Sequence, residues 1–207
     1  MESPIRLFVL TLTLALCSAT LFFAQHPSPF PSSKPKPELA QHPEWPKAYP
    51  SDVDTIEDAV RAFYSAISVP AGGKVNRDRL YSLFVPDGRI AIGLPPQPGR
   101  PADLILETLD QLAASGDAYT ATKGFFDHNV ANHIQQFGVM AQVYSTYESR
   151  SHLEDKTPMA RGIKSFELLH SGNRWYIVQV YWDSERPDNP LPERYLHNDS
   201  EGGAEQK

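Results

Sequence analysis

The sequence predicts an α+β fold in which helices precede an antiparallel sheet and pack on one of its faces. Two patterns support this prediction. Up to about residue 114, apolar side chains recur every three or four positions, which is the repeat of an amphipathic helix. From about residue 123 they recur at every second position, which is the repeat of a half-buried strand. The length of 207 residues allows one such domain with extensions and excludes a large multidomain enzyme.

The first extension, residues 1–24, is predicted to be a signal peptide. Residues 7–24 carry no charge and follow Arg6 and the positive amino terminus. A run of this length is also at the lower limit of a membrane span, so an uncleaved anchor is the alternative. The only cysteine, Cys17, lies in this run, and its removal would leave no disulfide and no thiolate ligand. We therefore expect a secreted or periplasmic protein, or one tethered to a membrane by this segment.

Prolines mark the other extensions. Eight of the 19 prolines fall between His26 and Pro50, so residues 25–50 are interpreted as a Pro-rich linker with extended conformations. Three more prolines, between positions 187 and 192, lie in a polar C-terminal tail, residues 185–207. The folded domain is therefore placed at residues 51–184.

Three helices are predicted in the first half of the domain. Asp54 and Glu57 form a capping signature for a helix over about residues 55–68. A shorter helix carries Leu80, Leu83 and Phe84, and the turn Pro86-Asp87-Gly88 leads into a strand over residues 89–94. The third helix is predicted over Ala102–Ala114, where Ile105, Leu109 and Leu112 have the spacing of one helix face.

Four antiparallel strands are predicted in the second half. Gly138 separates the first two, a polar loop over residues 151–161 follows, and Ser171-Gly172-Asn173 joins the last two. The strands are expected around Phe126–Ile134, Val139–Arg150, Ile163–His170 and Trp175–Asp183. In the last strand strict alternation places Trp175 and Ile177 on one face and Val178, Val180 and Trp182 on the other. Because helices cover only one face, a homodimer through the second face is expected.

Several stretches resemble the nuclear transport factor 2-like superfamily, in particular its secreted, mostly uncharacterised polyketide-cyclase-like members. They are the passage Leu80–Gly88, the run Phe137–Arg150 and the last hairpin, Gly172–Val178. The resemblance covers about residues 51–184. It implies a cone-shaped domain in which three N-terminal helices pack on a curved, mostly antiparallel sheet around a pocket, often with dimerisation through the outer face of the sheet.

The superfamily includes enzymes and binding domains, so the fold does not choose a function. Ketosteroid isomerases of the group use a helix tyrosine, an aspartate base and an aspartic acid on a middle strand. The matching positions here are Phe63 or Tyr64, Ile92 and Ser165. An isoleucine cannot take a proton, which argues against isomerase chemistry of that type.

His128 is the candidate general base. It is in phase with Phe126, Val130 and Ile134, so it is expected among apolar side chains that would keep its imidazole neutral. The resemblance to the dehydratase branch of the superfamily implies the same role. Asn132, on the same face, could orient a substrate. The alternative is a core histidine with no catalytic role.

Glu167 is the second catalytic candidate, an acid or base if it lies in a pocket, and Ser165 shares its face. It could equally face solvent or pair with Lys164 or Arg174. Tyr64, Tyr147, Tyr176 and Trp182 could line a cavity for an apolar or aromatic ligand, because small-molecule sites are mainly apolar with few polar groups.

Charge and motifs exclude other classes of function. The net charge of −6 argues against a nucleic-acid partner. Strand spacing separates His128 from His133 on opposite faces, so no metal site is expected, and no cofactor motif is found. The predicted function is an exported small-molecule-binding domain, with no membrane contact beyond export or the anchor. The alternative is a cofactor-free lyase, isomerase or cyclase that uses His128.

Overall fold

The computed structural model describes residues 37–198. The predicted signal peptide, the first part of the linker and the last nine residues lie outside the described residues. Four helices and six strands follow in the order α1, α2, α3, β1, β2, α4, β3, β4, β5, β6. The predicted α+β class is confirmed. Within residues 37–198 no helix is long and apolar enough to cross a bilayer.

The helices begin at short polar caps. Helix α1 spans Glu38–Gln41, α2 spans Ile56–Ile67 and α3 spans Arg77–Leu83. The cap of α2 lies one residue later than predicted, because Thr55 and Asp58 form the capping box instead of Asp54 and Glu57. Each of these two side chains accepts a hydrogen bond from the backbone N–H of the other, which pairs donors that a helix start leaves free.

The third predicted helix is wrong in its first half. Residues Asp103–Glu107 form strand β2, and helix α4 spans Leu109–Thr120 behind a Thr108–Gln111 capping box. In β2, Ile105 pairs with Ile92 of the neighbouring strand and is 41% exposed, so it does not share a buried helix face with Leu109. Three consecutive apolar residues, 104–106, suit a short edge strand as well as a helix, and the spacing cannot separate the two.

The six strands form one sheet in the order β2-β1-β6-β5-β4-β3. All neighbouring pairs are antiparallel except β1 with β6. The predicted hairpins are present, and Gly138 and Gly172 take φ values of 57° and 66°, which favour glycine. The longer strands are β1 Phe84–Leu94, β3 Phe126–Phe137, β4 Met140–Arg150, β5 Ala160–Ser171 and β6 Arg174–Ser184.

The core lies between helix α2 and the inner face of the sheet. Phe63 of α2 meets Phe84 of β1 and Phe166 of β5 edge to face, with ring centroids 5.9 and 5.3 Å apart. All three side chains are fully buried. Aromatic pairs in this geometry stabilise beyond their buried area, so this cluster fixes the helix on the sheet.

A β-bulge changes the expected faces of the last strand. Glu167 of β5 pairs with Gln179, but the next residue, Leu168, pairs with Ile177, so Val178 has no partner. The extra residue reverses the alternation. Ile177 and Val180 are therefore both fully buried, and Val178 is exposed. The expected second apolar face of β6 is therefore not found, and the homodimer stays a prediction without that support.

Residues on both sides of the predicted domain pack on it. In the linker, the Trp45 indole N–H lies 3.0 Å from the carbonyl oxygens of both Tyr81 and Phe84 and donates to them. In the tail, Tyr195 stacks on Tyr144 of β4 with centroids 5.9 Å apart. The sheet face that carries Tyr144 points away from the helices and is called the outer face below. The segment up to Asn198 covers part of it.

The aromatic cluster gives the first prediction. Phe166→Ala should lower the free energy of unfolding by about 3–5 kcal/mol, because it leaves a cavity between α2 and the sheet. Phe137→Ala is the matched control, since Phe137 is 83% exposed, and it should change stability by less than about 0.5 kcal/mol. Urea unfolding followed by circular dichroism measures both. Equal effects of the two substitutions would show that the cluster does not hold the core.

Candidate functional site

A cavity of about 360 Å³ opens between α4 and the inner face of the sheet. Its wall is mainly apolar, and Ser115, Tyr119 and Met159 stand at its opening as exposed residues. The volume lies in the range of small-molecule sites. The inner wall includes Ile67, Val75, Ile92, Leu112, Phe125 and Trp182.

One ion pair lies in this wall. Lys164 Nζ of β5 donates to Asp127 Oδ2 of β3 at 2.9 Å, and the exposed fractions of the two side chains are 4% and 0%. Ser149 of β4 pairs with Asp127 in the sheet, and its hydroxyl donates to Asp127 Oδ1 at 2.9 Å. The backbone N–H of Asp127 donates to Ser68 Oγ, also at 2.9 Å. The carboxylate is therefore held by two side chains and its own backbone.

Aromatic rings surround the lysine. Nζ of Lys164 lies 3.3 Å from the ring centroid of Tyr147, 5.2 Å from that of Tyr64 and 5.4 Å from that of Trp182. Such contacts stabilise a cation through the negative ring faces. Burial nevertheless lowers the pKa of Lys164, against the attraction and the hydrogen bond of Asp127, which favour the charged form.

The hydroxyl groups of the two tyrosines have their own partners. Tyr64 donates to Ser145 Oγ at 2.8 Å, and the hydroxyls of Tyr147 and Ser184 are hydrogen bonded at 2.9 Å. Burial raises the pKa of the phenol in both tyrosines, that of Tyr64 strongly. Both phenols therefore stay neutral at physiological pH, so the inner part of the site combines one ion pair with neutral hydroxyls.

Three of the predicted site residues lie at this cavity. Tyr147 and Trp182 line it. Tyr64 lies behind Lys164, fully buried, and contributes its ring rather than a surface for a ligand. Ile92, matched to the isomerase base by resemblance, also lines the cavity, so the wall is apolar at that position.

His128 is not in the cavity. It lies on the outer face with its side chain 49% exposed, and its ring nitrogens are 3.0 and 3.2 Å from Arg150 Nη1. The expectation that it is buried among apolar side chains was wrong. A bulge in β3 is the reason: Asn129 pairs with Tyr147 and Ala131 with Thr146, which leaves Val130 without a partner and reverses the alternation.

The other candidates also lie away from the cavity. Glu167 and Ser165 are on the outer face, where Gln142 Nε2 donates to Glu167 Oε1 at 2.9 Å. Tyr176 packs under the Arg174 guanidinium, 3.8 Å from the ring centroid. The backbone N–H of Asn132 donates to Asn198 in the tail. The structure does not bring these residues together with Tyr147 and Trp182.

Sequence reasoning missed Asp127, Lys164, Ser149 and Ser184. Lys164 had a visible signal, because it alternates with Phe166 and Leu168 and so places a charge on an apolar strand face. Asp127 had none, since the bulge at Val130 hides that Asp127 and Ile134 share the inner face. The suggested pairing of Lys164 with Glu167 is not found, because those two side chains lie on opposite faces of β5.

A metal centre and a second cavity are the other places where chemistry could occur. Among residues 37–198 no group of three or more His, Cys, Asp or Glu side chains could hold a metal ion. A second cavity, of about 400 Å³, lies on the outer face under the tail, lined by His133, Gln135, Gln142, Tyr144, Arg194 and Tyr195. The buried ion pair is in the first cavity only.

No family model matches the chain, and no curated protein matches it. Several solved structures do. The chain resembles the nuclear transport factor 2-like proteins. One is a protein of this kind, of unknown function, from Silicibacter pomeroyi, at 16% identity over 63% of this chain and 92% of that one, with a TM-score of 0.43.

Two further solved structures are similar. A protein provisionally described as a dehydratase of the same family, from Streptomyces avermitilis, is 16% identical over 65% of this chain and 96% of that one, with a TM-score of 0.45. A protein provisionally described as a ketosteroid isomerase, from Shewanella frigidimarina, is 17% identical over 63% of this chain and 96% of that one, with a TM-score of 0.43. At these identities the likeness concerns the fold alone.

The ion pair gives the second prediction. Lys164→Met should destabilise the protein by about 3–5 kcal/mol, because it leaves the Asp127 carboxylate buried without a counter-charge. The double variant Lys164→Met/Asp127→Leu should recover most of this loss, since no charge then remains buried. Urea unfolding of the two variants measures the difference. A double variant no more stable than Lys164→Met would contradict the assignment.

The buried tyrosines give the third prediction. The pKa of Tyr64 is raised in the folded state, so the unfolded chain loses the phenol proton at a lower pH than the folded protein does. The contribution of Tyr64 to stability is therefore fully present below the ordinary pKa of 10.0 and is lost as the pH rises above that value. The Lys164 ammonium, whose pKa is lowered, gives the opposite slope. The effect of Tyr64 is therefore measured by comparing two proteins that both contain Lys164. Between pH 9 and 11, the free energy of unfolding of wild type should fall more than that of Tyr64→Phe. Parallel curves of unfolding free energy against pH would disprove it.

Proposed function

We propose that the chain is an exported protein that binds a small, mainly apolar molecule in the cavity under α4. The observation that carries the proposal is the cavity itself, about 360 Å³ of mainly apolar wall with one fully buried ion pair. A cavity of this kind can remove the apolar surface of a ligand from water, and its few fixed polar groups can orient that ligand. A sealed core would bind nothing, whereas this cavity opens beside Ser115 and Met159.

The chemistry of the wall limits the ligand. Asp127 and Lys164 together carry no net charge, so a charged group brought next to them would be buried without compensation. A neutral polar group suits the site better, because hydroxyls and the ion pair can donate to it or accept from it. The remaining surface, including Leu112 and Trp182, suits aliphatic or aromatic carbon. The expected ligand is therefore uncharged at its inner end.

Glu107 sets the character of the opening. It lines the cavity from β2, and Ser115 donates to its carboxylate at 3.3 Å. A second carboxylate at the rim makes the cavity less suitable for anions such as fatty acids. Apolar or aromatic molecules with a carbonyl or hydroxyl group fit best.

Catalysis is the second candidate function, favoured by one observation. The inner carboxyl group of the cavity is Asp127, whose position beside Lys164 would allow proton transfer to or from a ligand without a cofactor. A lyase, isomerase or cyclase reaction would then use Asp127 and not the outer-face His128. Binding needs only the cavity, and therefore stays the first proposal.

The cellular setting of the proposal comes from the sequence. Residues 7–24 support export to the periplasm or the exterior, or tethering if they are not cleaved. A homodimer through the outer face is also proposed, on the resemblance to the superfamily. The part of that face under Tyr195 is covered by the tail, so a partner would meet the strands beside it or displace the tail.

Binding of N-phenyl-1-naphthylamine tests the proposed function. This uncharged aromatic fluoresces strongly in apolar surroundings and has no carbonyl group. Wild type should bind it with a stoichiometry of one. Ser115→Trp should weaken binding by about tenfold or more, because the indole would fill the opening and take the place of part of the probe. The apolar contact that the probe loses is worth more than about 1.4 kcal/mol, which corresponds to a tenfold change in affinity.

Ala114→Trp is the matched control. Ala114 is the preceding residue of α4, exposed, and does not line the cavity. The Ala114→Trp variant should bind the naphthylamine with the same affinity as wild type. The proposal fails if the probe does not bind, or if both tryptophan variants bind it as wild type does.

A further inference from the structure

We propose that Lys164 binds aldehyde or ketone ligands covalently, as an imine formed inside the cavity with Asp127 as the proton carrier. The inference rests on the proposed function and names the class of ligand and the bond that holds it. Of the residues that line the cavity in the described part of the chain, Lys164 alone carries an amine.

The position of the amine supports the reaction. The Lys164 side chain is only 4% exposed, yet Lys164 lines the cavity, so a carbonyl group bound in the cavity is the expected partner of its amine. An amine must lose a proton before it can attack a carbonyl carbon. Asp127 Oδ2, 2.9 Å away, is placed to accept that proton. The lowered pKa of Lys164 favours the same transfer.

The proton balance closes within the pair. The ammonium passes one proton to Asp127, and the free amine adds to the carbonyl carbon. A proton then moves from this nitrogen to the former carbonyl oxygen, giving a carbinolamine. Asp127 returns its proton to that hydroxyl group, which leaves as water while the nitrogen lone pair forms the C=N bond. The net change is ammonium plus carbonyl to protonated imine plus water, without oxidant or cofactor.

The charges of the site do not change in this reaction. The product is a protonated imine beside the Asp127 carboxylate, which replaces an ammonium beside the same carboxylate. The rings of Tyr147, Tyr64 and Trp182 that surround Nζ can stabilise the new cation as they do the old one. The Ser149 hydroxyl keeps Asp127 in place throughout. The buried pair therefore suits a reversible bond to a neutral carbonyl ligand.

Reductive trapping tests the inference. The full chain is incubated with cinnamaldehyde and sodium cyanoborohydride, which reduces imines to stable amines, and the modified lysines are identified by peptide mass spectrometry. Lys164 should be modified about tenfold or more faster than the exposed Lys123, because the cavity holds the aldehyde next to its amine. Excess N-phenyl-1-naphthylamine should slow modification of Lys164 and leave that of Lys123 unchanged.

Two variants sharpen the test. Lys164→Arg keeps a buried cation beside Asp127 but cannot form an imine, so cavity-dependent trapping should disappear. Lys123→Arg should leave trapping at Lys164 unchanged. If Lys164→Arg does not fold, the competition by the naphthylamine in wild type still decides.

The outcomes separate this inference from the proposed function. Binding of the naphthylamine that Ser115→Trp weakens, together with trapping at Lys164 no faster than at Lys123, would overturn the imine and leave the binding function standing. Failure of the naphthylamine to bind would contradict the binding function. Fast trapping that the naphthylamine does not slow would place the reactive lysine outside the proposed cavity and also overturn the inference.

Discussion

The contact between Lys164 and Asp127 constrains the rest of the cavity. It joins β5 to the start of β3 across the intervening strand β4, and the Ser149 hydroxyl of β4 also donates to the same carboxylate. Each charge is acceptable in the interior only because the other is within 2.9 Å. The rings of Tyr64, Tyr147 and Trp182 complete the surroundings of the ammonium group, and their negative faces tolerate a cation.

A buried ion pair of this kind is not the most stabilising choice for the interior of a sheet. Well-packed apolar residues of similar volume give equal or greater stability, because burying two charges costs about as much as their attraction returns. The neighbouring inner-face positions of β5, Phe166 and Leu168, follow that rule. The exception at position 164 is also where the wall meets a cavity. Its polarity therefore fits the ligand binding proposed above better than a role in stabilising the fold.

Much of the fold could be predicted from local signals. The helix over residues 55–68 is indicated by a cap and by a repeat of apolar positions, and the hairpins at Gly138 and Gly172 are indicated by their turn residues. All of these signals lie within a few residues of the element that they predict. The β-bulges at Val130 and Val178 have no such local cause. Each adds one residue to a strand and exchanges its faces, so a strict alternation assigned His128 inward and hid Asp127. The false first half of the third helix has a related origin, because pairing of Ile105 with Ile92 across the chain decides between strand and helix.

The candidate site depends on those same bulges, which is why it was harder to predict than the fold. Three aromatic residues were found, since large side chains are informative wherever they stand, but their polar partners were not. Below the bulge in β3, Asp127 faces the interior and pairs with Ser149; above it, Ile134 faces the interior opposite Val143. Without the extra residue, a strand with Ile134 inward would direct Asp127 outward and place His128 beside Lys164. The bulge at Val130 therefore determines whether a carboxylate or an imidazole faces the buried amine, and only the carboxylate can both neutralise the ammonium and accept its proton.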